Sequence, residues 1–285
     1  MLGKIYSKTG SNEEAVKYLW AIDNKARIDA VLFNLPYREI KYTICTSTQA
    51  GCEQDCKFCA TAGKKFYKNL DQDEIIGQAQ SIVEDNPFMK KTPWEIAFMA
   101  TGEPFLNYEN VTSAINRVSK LYSSFRQVNL STIGITDKIY RFADEDFKDL
   151  TMKLQISLNH PENKKRDRIM PSKAKGSIEE LLEAGKYYSQ KRNRKVSLNY
   201  LLLKGVNDSD EAISKLIQLI QPFKDFFYIK LSRMNATNSP FCSPKDPEFE
   251  KISKKITEEG IDCKIFFGTG NTIAGNCGQL YLEKY

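Results

Sequence analysis

The chain has 285 residues, 41% hydrophobic and 27% charged, with a formal net charge of +6; that is the balance of a globular protein able to bury a sizeable core. No stretch is apolar for long enough to cross a bilayer, and the mild positive charge only leans toward a polyanionic partner. The seven cysteines, at 45, 52, 56, 59, 242, 263 and 277, are an odd number, and no secretory leader is read at the N-terminus, so a cytoplasmic setting is expected in which thiols ligate or react rather than pair.

Residues 1–28 read as a short prefix with helical spacing around 13–21, too small for a domain. The remainder, 29–285, reads as one domain, opening with an extra strand over 29–35. Strands are then expected at 41–48, 94–101, 127–132, 152–158, 196–203, 227–232 and 263–267, from β-branched and apolar runs. Between them, apolar residues three or four apart predict helices at 72–84, 111–122, 177–190, 210–220 and 248–259. Strand alternating with helix means βαβ units, hence a parallel α/β sheet or barrel with its functional loops at the carboxyl ends of the strands.

The loop after the first of these strands carries Cys52, Cys56 and Cys59 at a C-x3-C-x2-C spacing. A closed zinc site wants four ligands, whereas a cuboidal iron-sulfur cluster held by three thiolates leaves one iron open to a small chelating molecule. Zinc with Cys45 as fourth ligand is the competing reading; His160 is the sole histidine, and no second close ligand pair follows. The loops at Gly102-Glu103-Pro104 and Asn159-His160-Pro161 should surround the cysteines. On its own a Gly-Glu-Pro is a turn; beside a ligand its glycine permits close backbone approach and its carboxylate can accept from an ammonium group. Lys164, Lys165, Arg166, Arg168, Lys173 and Lys175 fall at the same face, where phosphate contacts are useful. Lys191, Arg192, Arg194 and Lys195 fall at the opposite end and read as solvated surface. Cys242 reads as a loop thiol and Cys263 as core.

A C-x3-C-x2-C loop ending the first strand of a βα barrel resembles the radical SAM superfamily, and Phe58 matches an aromatic residue often found between its ligands. Further segments resemble one branch of it, the RNA adenine methyltransferases of the RlmN/Cfr type. They are Cys45-Thr-Ser-Thr-Gln-Ala-Gly-Cys52, Gly102-Glu-Pro-Phe-Leu-Asn107, Leu130-Ser-Thr-Ile-Gly134, Ile156-Ser-Leu158, Arg166-Asp-Arg-Ile-Met-Pro171 and Cys277-Gly-Gln-Leu280.

The resemblance implies a partial (βα)6 barrel with short N- and C-terminal extensions, one 4Fe-4S cluster on Cys52, Cys56 and Cys59, and S-adenosyl-L-methionine (SAM) contacts from Gly102, Glu103, Ser131, Ser157, Asn159 and Asn235. It implies that Cys277 takes a methyl group from a first SAM and that Cys45 is the second reactive thiol. An sp2 purine carbon is too weak a nucleophile to attack SAM directly, and a radical route avoids that barrier. The implied substrate is adenine in ribosomal or transfer RNA, at C2 ahead of C8, with an electron donor such as flavodoxin or ferredoxin and a monomeric enzyme. Two departures stand out. The family has histidine where Asn159 stands, so either Asn159 takes over its hydrogen bond or the loop shifts and His160 faces solvent. The family also carries an N-terminal accessory domain that helps bind RNA, where this chain has only the prefix. Asp29 lies roughly where the family has a general-base glutamate, with an exposed strand-start aspartate as the competing reading. The alternative functions are a radical SAM enzyme acting on a peptide or small metabolite, and a noncatalytic iron-sulfur or zinc module.

Overall fold

A computed structural model describes residue 2 and residues 5–268; Cys277 lies outside the described residues. Three antiparallel strands come first, β1 Ser7–Ser11, β2 Ala15–Ile22 and β3 Ala26–Asn34, and β3 pairs antiparallel with β4, Tyr42–Cys45. A two-stranded ribbon of β5 (Gln49–Ala50) and β6 (Lys68–Asn69) brackets the cysteine loop. The chain then runs through α1 Gln72–Asp85, β7 Trp94–Phe98, α2 Tyr108–Leu121, β8 Phe125–Thr132, α3 Thr136–Asp144, β9 Thr151–Ser157, α4 Asn163–Ile169, α5 Ile178–Arg192, β10 Val196–Leu202, α6 Asp210–Ile220, β11 Phe227–Arg233, α7 Asp246–Glu258 and β12 Cys263–Phe266.

The main sheet has the order β1-β2-β3-β4-β7-β8-β9-β10-β11-β12, with every pairing from β4 onward parallel. Six βα units, closed by a seventh parallel strand, make the expected partial barrel. Parallel neighbours need crossover helices, and each lies where apolar spacing and caps agree. Helix α1 opens with an Asp71–Glu74 capping box and α5 with a Ser177–Glu180 box, while α5 stops at Asn193 in a left-handed conformation.

The sheet divides the molecule by chemistry. Ile96, Phe98, Val128, Leu130, Met152, Leu154, Ile156, Leu198, Tyr200, Ile229 and Leu231 point to the helices and form one core, each large side chain contributing roughly 1.5–3 kcal/mol of burial. The alternate residues are Glu95, Gln127, Asn129, Ser131, Lys153, Gln155, Ser157, Asn199, Lys230 and Ser232. On a flat open sheet these would be solvated, yet Glu95, Gln127 and Ser232 are buried, as on the concave wall of a partial barrel. Arg38 reaches across to Glu95 (Nη1 to Oε1, 2.7 Å), and Thr43 donates to the same oxygen at 2.7 Å. These contacts plug the end away from the cysteine loop.

Two sequence expectations change. Residues 13–21 are not helical; most of them form β2, whose Val16, Tyr18, Trp20 and Ile22 enter the main core while Ala15 packs on the concave side with Val31, Cys45 and Ala97. A strand buried on both faces loses the polar alternation that would betray it. The boundary drawn between residues 28 and 29 falls within β3. Helices α3 and α4, short and richly charged, add to the expected set. Among the described residues no helix is long and apolar enough to cross a membrane.

Candidate active site

Cys45 is the last residue of β4, 6% exposed, facing the concave side beside Val31 and Ala97. The chain then leaves the sheet for the cysteine loop. Gly51 turns it at φ +84°, and a Cβ there would sit 2.4 Å from the Lys65 carbonyl oxygen, so glycine is required. Asp55, also left-handed at φ +48°, accepts from Gly63 N at 2.9 Å and pins the loop across its base.

The loop is tied on two sides. Lys57 N donates to the Ile169 carbonyl at the end of α4 (2.9 Å), and Gln54 bonds Ser172 beyond it. Thr237, after β11, donates to the Phe58 carbonyl at 3.3 Å. The three thiols therefore sit at the carboxyl ends of the strands, between the loops that follow β7, β9 and β11.

Burial pushes the Cys52 thiol up to about 12; a backbone hydrogen bond at Gln54 opposes this and the charges of Cys59, Glu103 and Glu53 add to it. Burial likewise raises Cys56, helped by Cys59, Cys52 and Glu103 and opposed by Arg166. The thiols thus lie within one another's field. Among the described residues no three ligating side chains converge on a single ion. A cuboidal cluster takes one thiolate at each of three corners, which three cysteines on one loop can supply. Cys52 and Cys56, held neutral by burial, bind such a group only by releasing protons, because metal ligation inverts their acid-base preference.

Glu103 ends the β7 loop. Gly102 before it has φ +107°, and a Cβ would lie 2.6 Å from Gln49 Cβ; this close passage lets Glu103 N donate to Gln49 Oε1 at 2.9 Å. The carboxylate is buried and accepts from Thr132 Oγ1 (2.7 Å), Ile133 N (2.9 Å) and Phe105 N (3.1 Å). Burial lifts its pKa to about 7 against the pull of those three donors. Ser131 and Ser157 stand on the concave faces of β8 and β9, with Ser131 Oγ accepting from Gln155 Nε2 at 3.0 Å. Asn235, two residues beyond β11, is buried at the same end.

Asn159 is placed differently. It is left-handed at φ +56°, with Oδ1 accepting from Leu201 N at 2.9 Å and Nδ2 directed to Met170 Sδ at 3.1 Å. Its side chain braces the β9–β10 loops. His160 does not face solvent: it is 0% exposed, and its Nδ1 accepts from Glu162 N at 3.1 Å. Burial, then Lys165, lowers its pKa, favouring the neutral ring.

Arg166 was expected to meet phosphate, but its guanidinium is buried under the loops. Lys175 bonds Asp167 and Lys165 pairs with Glu162 (2.8 Å), while Lys164, Arg168 and Lys173 are exposed at this end. At the opposite end Lys191 pairs with Asp144 and Lys195 with Asp262. Asp29 is not an exposed strand-start residue. It is buried within β3 beside Lys17 of β2, a residue that sequence reasoning passed over because an isolated lysine in an apolar run carries no signal.

The radical SAM superfamily model matches residues 46–217. A probable dual-specificity RNA methyltransferase RlmN of Pseudothermotoga lettingae is 36% identical over 284 residues, covering 98% of this chain and 80% of the relative. That of Caldanaerobacter subterraneus subsp. tengcongensis is 35% identical over 279 residues, covering 95% and 78%. In structure, a radical SAM methyltransferase from Sphaerobacter thermophilus superposes with a TM-score of 0.89 at 28% identity over 98% of this chain and 81% of that one. Spore photoproduct lyase complexed with dinucleoside spore photoproduct, at TM-score 0.57 and 12% identity over 83% of this chain and 79% of that one, shares the fold. From the cysteine loop, the concave parallel sheet and a likeness running through nearly its whole length, this chain belongs to the radical SAM superfamily and, within it, to the RlmN family of RNA methyltransferases.

Proposed function

We propose that this enzyme methylates an sp2 carbon of adenine, C2 ahead of C8, in ribosomal or transfer RNA, and that Cys277 carries the methyl group as S-methylcysteine. Cys52, Cys56 and Cys59 would hold the 4Fe-4S cluster that the family implies, and Gly102, Glu103, Ser131, Ser157 and Asn235 would bound SAM, with Asn159 bracing the loop between them. When bound, cluster and SAM supply a 5'-deoxyadenosyl radical. An electron donor such as flavodoxin or ferredoxin would serve it in the cytoplasm.

This chain's own residues do the rest. Cys277 would give one methyl hydrogen atom to the deoxyadenosyl radical and bond the remaining carbon to the ring, which gives up its C–H proton and returns one electron to the oxidised cluster. The Cys45 thiolate would then attack the Cys277 sulfur, the S–C bond breaking as the S–S bond forms, with its electron pair left on the carbon, which takes a proton to become the methyl group. The observation that carries the reading is the setting of Cys45: a buried thiol on the concave wall, at the strand end from which the cysteine loop departs. A structural cysteine would suit the helix-facing core equally well, whereas this one lies off that core, on the concave side with Ala15, Val31 and Ala97.

The test is direct. Protein isolated from cells should carry one additional methylene mass on the peptide containing Cys277, and RNA from cells lacking the gene should lose methyladenosine in ribosomal or transfer RNA. Unmodified Cys277 together with unchanged methyladenosine in both RNAs would overturn the proposal.

A further inference from the structure

Arg166 is one of the largest fully buried side chains, 1% exposed. Its Nε donates to the Leu158 carbonyl (3.1 Å), Nη1 to Gly176 (3.2 Å), and Nη2 to Ile133 (2.5 Å) and Ser157 (3.0 Å). All four partners are neutral backbone oxygens. The adjacent carboxylate, Asp167, is largely exposed and bonded to Lys175. Burial brings the guanidinium down to about 10, offset by Asp167 and Cys56, so it stays charged at neutral pH.

A buried charge ordinarily has a counter-ion, because carbonyl dipoles recover only part of its lost hydration. Four carbonyls orient Arg166 without neutralising it. The same helix receives the cysteine loop through Lys57 N and Ile169 O, and Cys56 lies within the field of the guanidinium.

We infer that Arg166 is a positioning residue whose fixed positive charge supports the thiolate-bound cluster and raises its reduction potential, while its fork holds the ends of β8 and β9 around the cofactor site. The inference rests on Cys52, Cys56 and Cys59 carrying a cluster, and not on the identity of the RNA substrate. Reduction by one electron from an external donor adds a negative charge, which a nearby buried cation stabilises with little screening by salt.

The experiment is a potentiometric titration of the reconstituted full chain, followed by electron paramagnetic resonance, with iron and sulfide determined on the same samples. Arg166→Gln should lower the midpoint by about 59 mV, a tenfold change against one-electron reduction, while Arg166→Lys stays near wild type. Where glutamine is not tolerated, Arg166→His carries the test at about pH 8, where burial keeps the imidazole neutral and the midpoint should fall by the same tenfold factor. A wild-type midpoint in folded, cluster-loaded Arg166→Gln overturns the inference, as does a wild-type midpoint in cluster-loaded Arg166→His at that pH. Wild-type protein that takes up no iron or sulfide would instead overturn the cluster assignment.

Discussion

Lys17 on β2 and Asp29 on β3 face each other on the concave side, Nζ to Oδ2 at 3.7 Å, with side chains 1% and 6% exposed. Asp29 also receives Thr101 Oγ1 at 3.3 Å, and its carbonyl accepts from Ser47 Oγ at 2.6 Å. The pair links the first strands to the loops that carry the cysteines and Glu103. It puts the Asp29 carboxyl group one same-face step along β3 from Val31, the residue opposite Cys45.

Removing one member takes a buried ion-pair partner from the other. Lys17→Met should therefore cost about 3–5 kcal/mol, whereas Lys17→Met with Asp29→Leu should recover most of the loss, since desolvating both ions offsets much of their attraction. Urea unfolding of the two single variants and the double variant checks this. A single-variant cost below about 1 kcal/mol would mean that water reaches the pair.

Glu103 should give the cluster-free protein a pH signature. Its folded pKa, about 7, lies above the ordinary 4.5, so between those values the folded state holds more protons than the unfolded one. Stability from this group is fully present below pH 4.5 and falls as pH rises through about 7, by about 3 kcal/mol in all. Glu103→Gln should abolish that slope, whatever its effect on absolute stability, because the amide does not titrate. Urea midpoints measured at pH steps across the window report it.

The parallel strands and five of the helices were legible because each strand buries one face against helices and each helix carries an apolar stripe. Both are patterns of the chain itself. Strand β2 was not, because its two faces are buried by different neighbours and the place of Lys17 within it follows from Asp29 on the next strand. In the site, the cysteine spacing and the Gly102-Glu103 turn were readable, since a turn next to a strand end needs those residue types locally. Arg166 was misread as a phosphate ligand because sequence shows a charge and not its burial. Asn159 and His160 show the same limit, as neither the left-handed backbone of one nor the enclosure of the other is written in a single chain position.

The two classes of cysteine should separate cleanly. Alanine at Cys52, Cys56 or Cys59 should abolish iron uptake. Cys45→Ala should leave it intact, because among the described residues Cys45 packs with Ala15, Val31 and Ala97 on the sheet, and a smaller side chain there loosens a small apolar group without touching the cysteine loop's own ties. If Cys45 resolves the protein–RNA link, the alanine variant should accumulate RNA bound covalently to protein under denaturing conditions. Electrophoresis of the variant purified from cells, before and after ribonuclease, makes the comparison; an RNA-free Cys45→Ala protein would argue against the resolving role.

Gly51 tests whether loop geometry, and not merely the presence of three thiols, determines cluster uptake. Its φ of +84° is strained for any L residue, and the added Cβ meets backbone, the Lys65 carbonyl oxygen and Phe66 Cα at 2.9 Å, which cannot rotate away. Gly51→Ala should therefore displace the segment between β5 and β6 at a cost of about 1–3 kcal/mol, while the sheet and helices keep their circular dichroism. Iron content should fall although Cys52, Cys56 and Cys59 all remain. Gly63 supplies the control: it is also left-handed, at φ +67°, but a Cβ there meets nothing within 4 Å. Gly63→Ala then carries backbone strain without a collision and should retain most of its iron; equal loss in both variants would assign the effect to loop strain and not to the closed approach at Gly51.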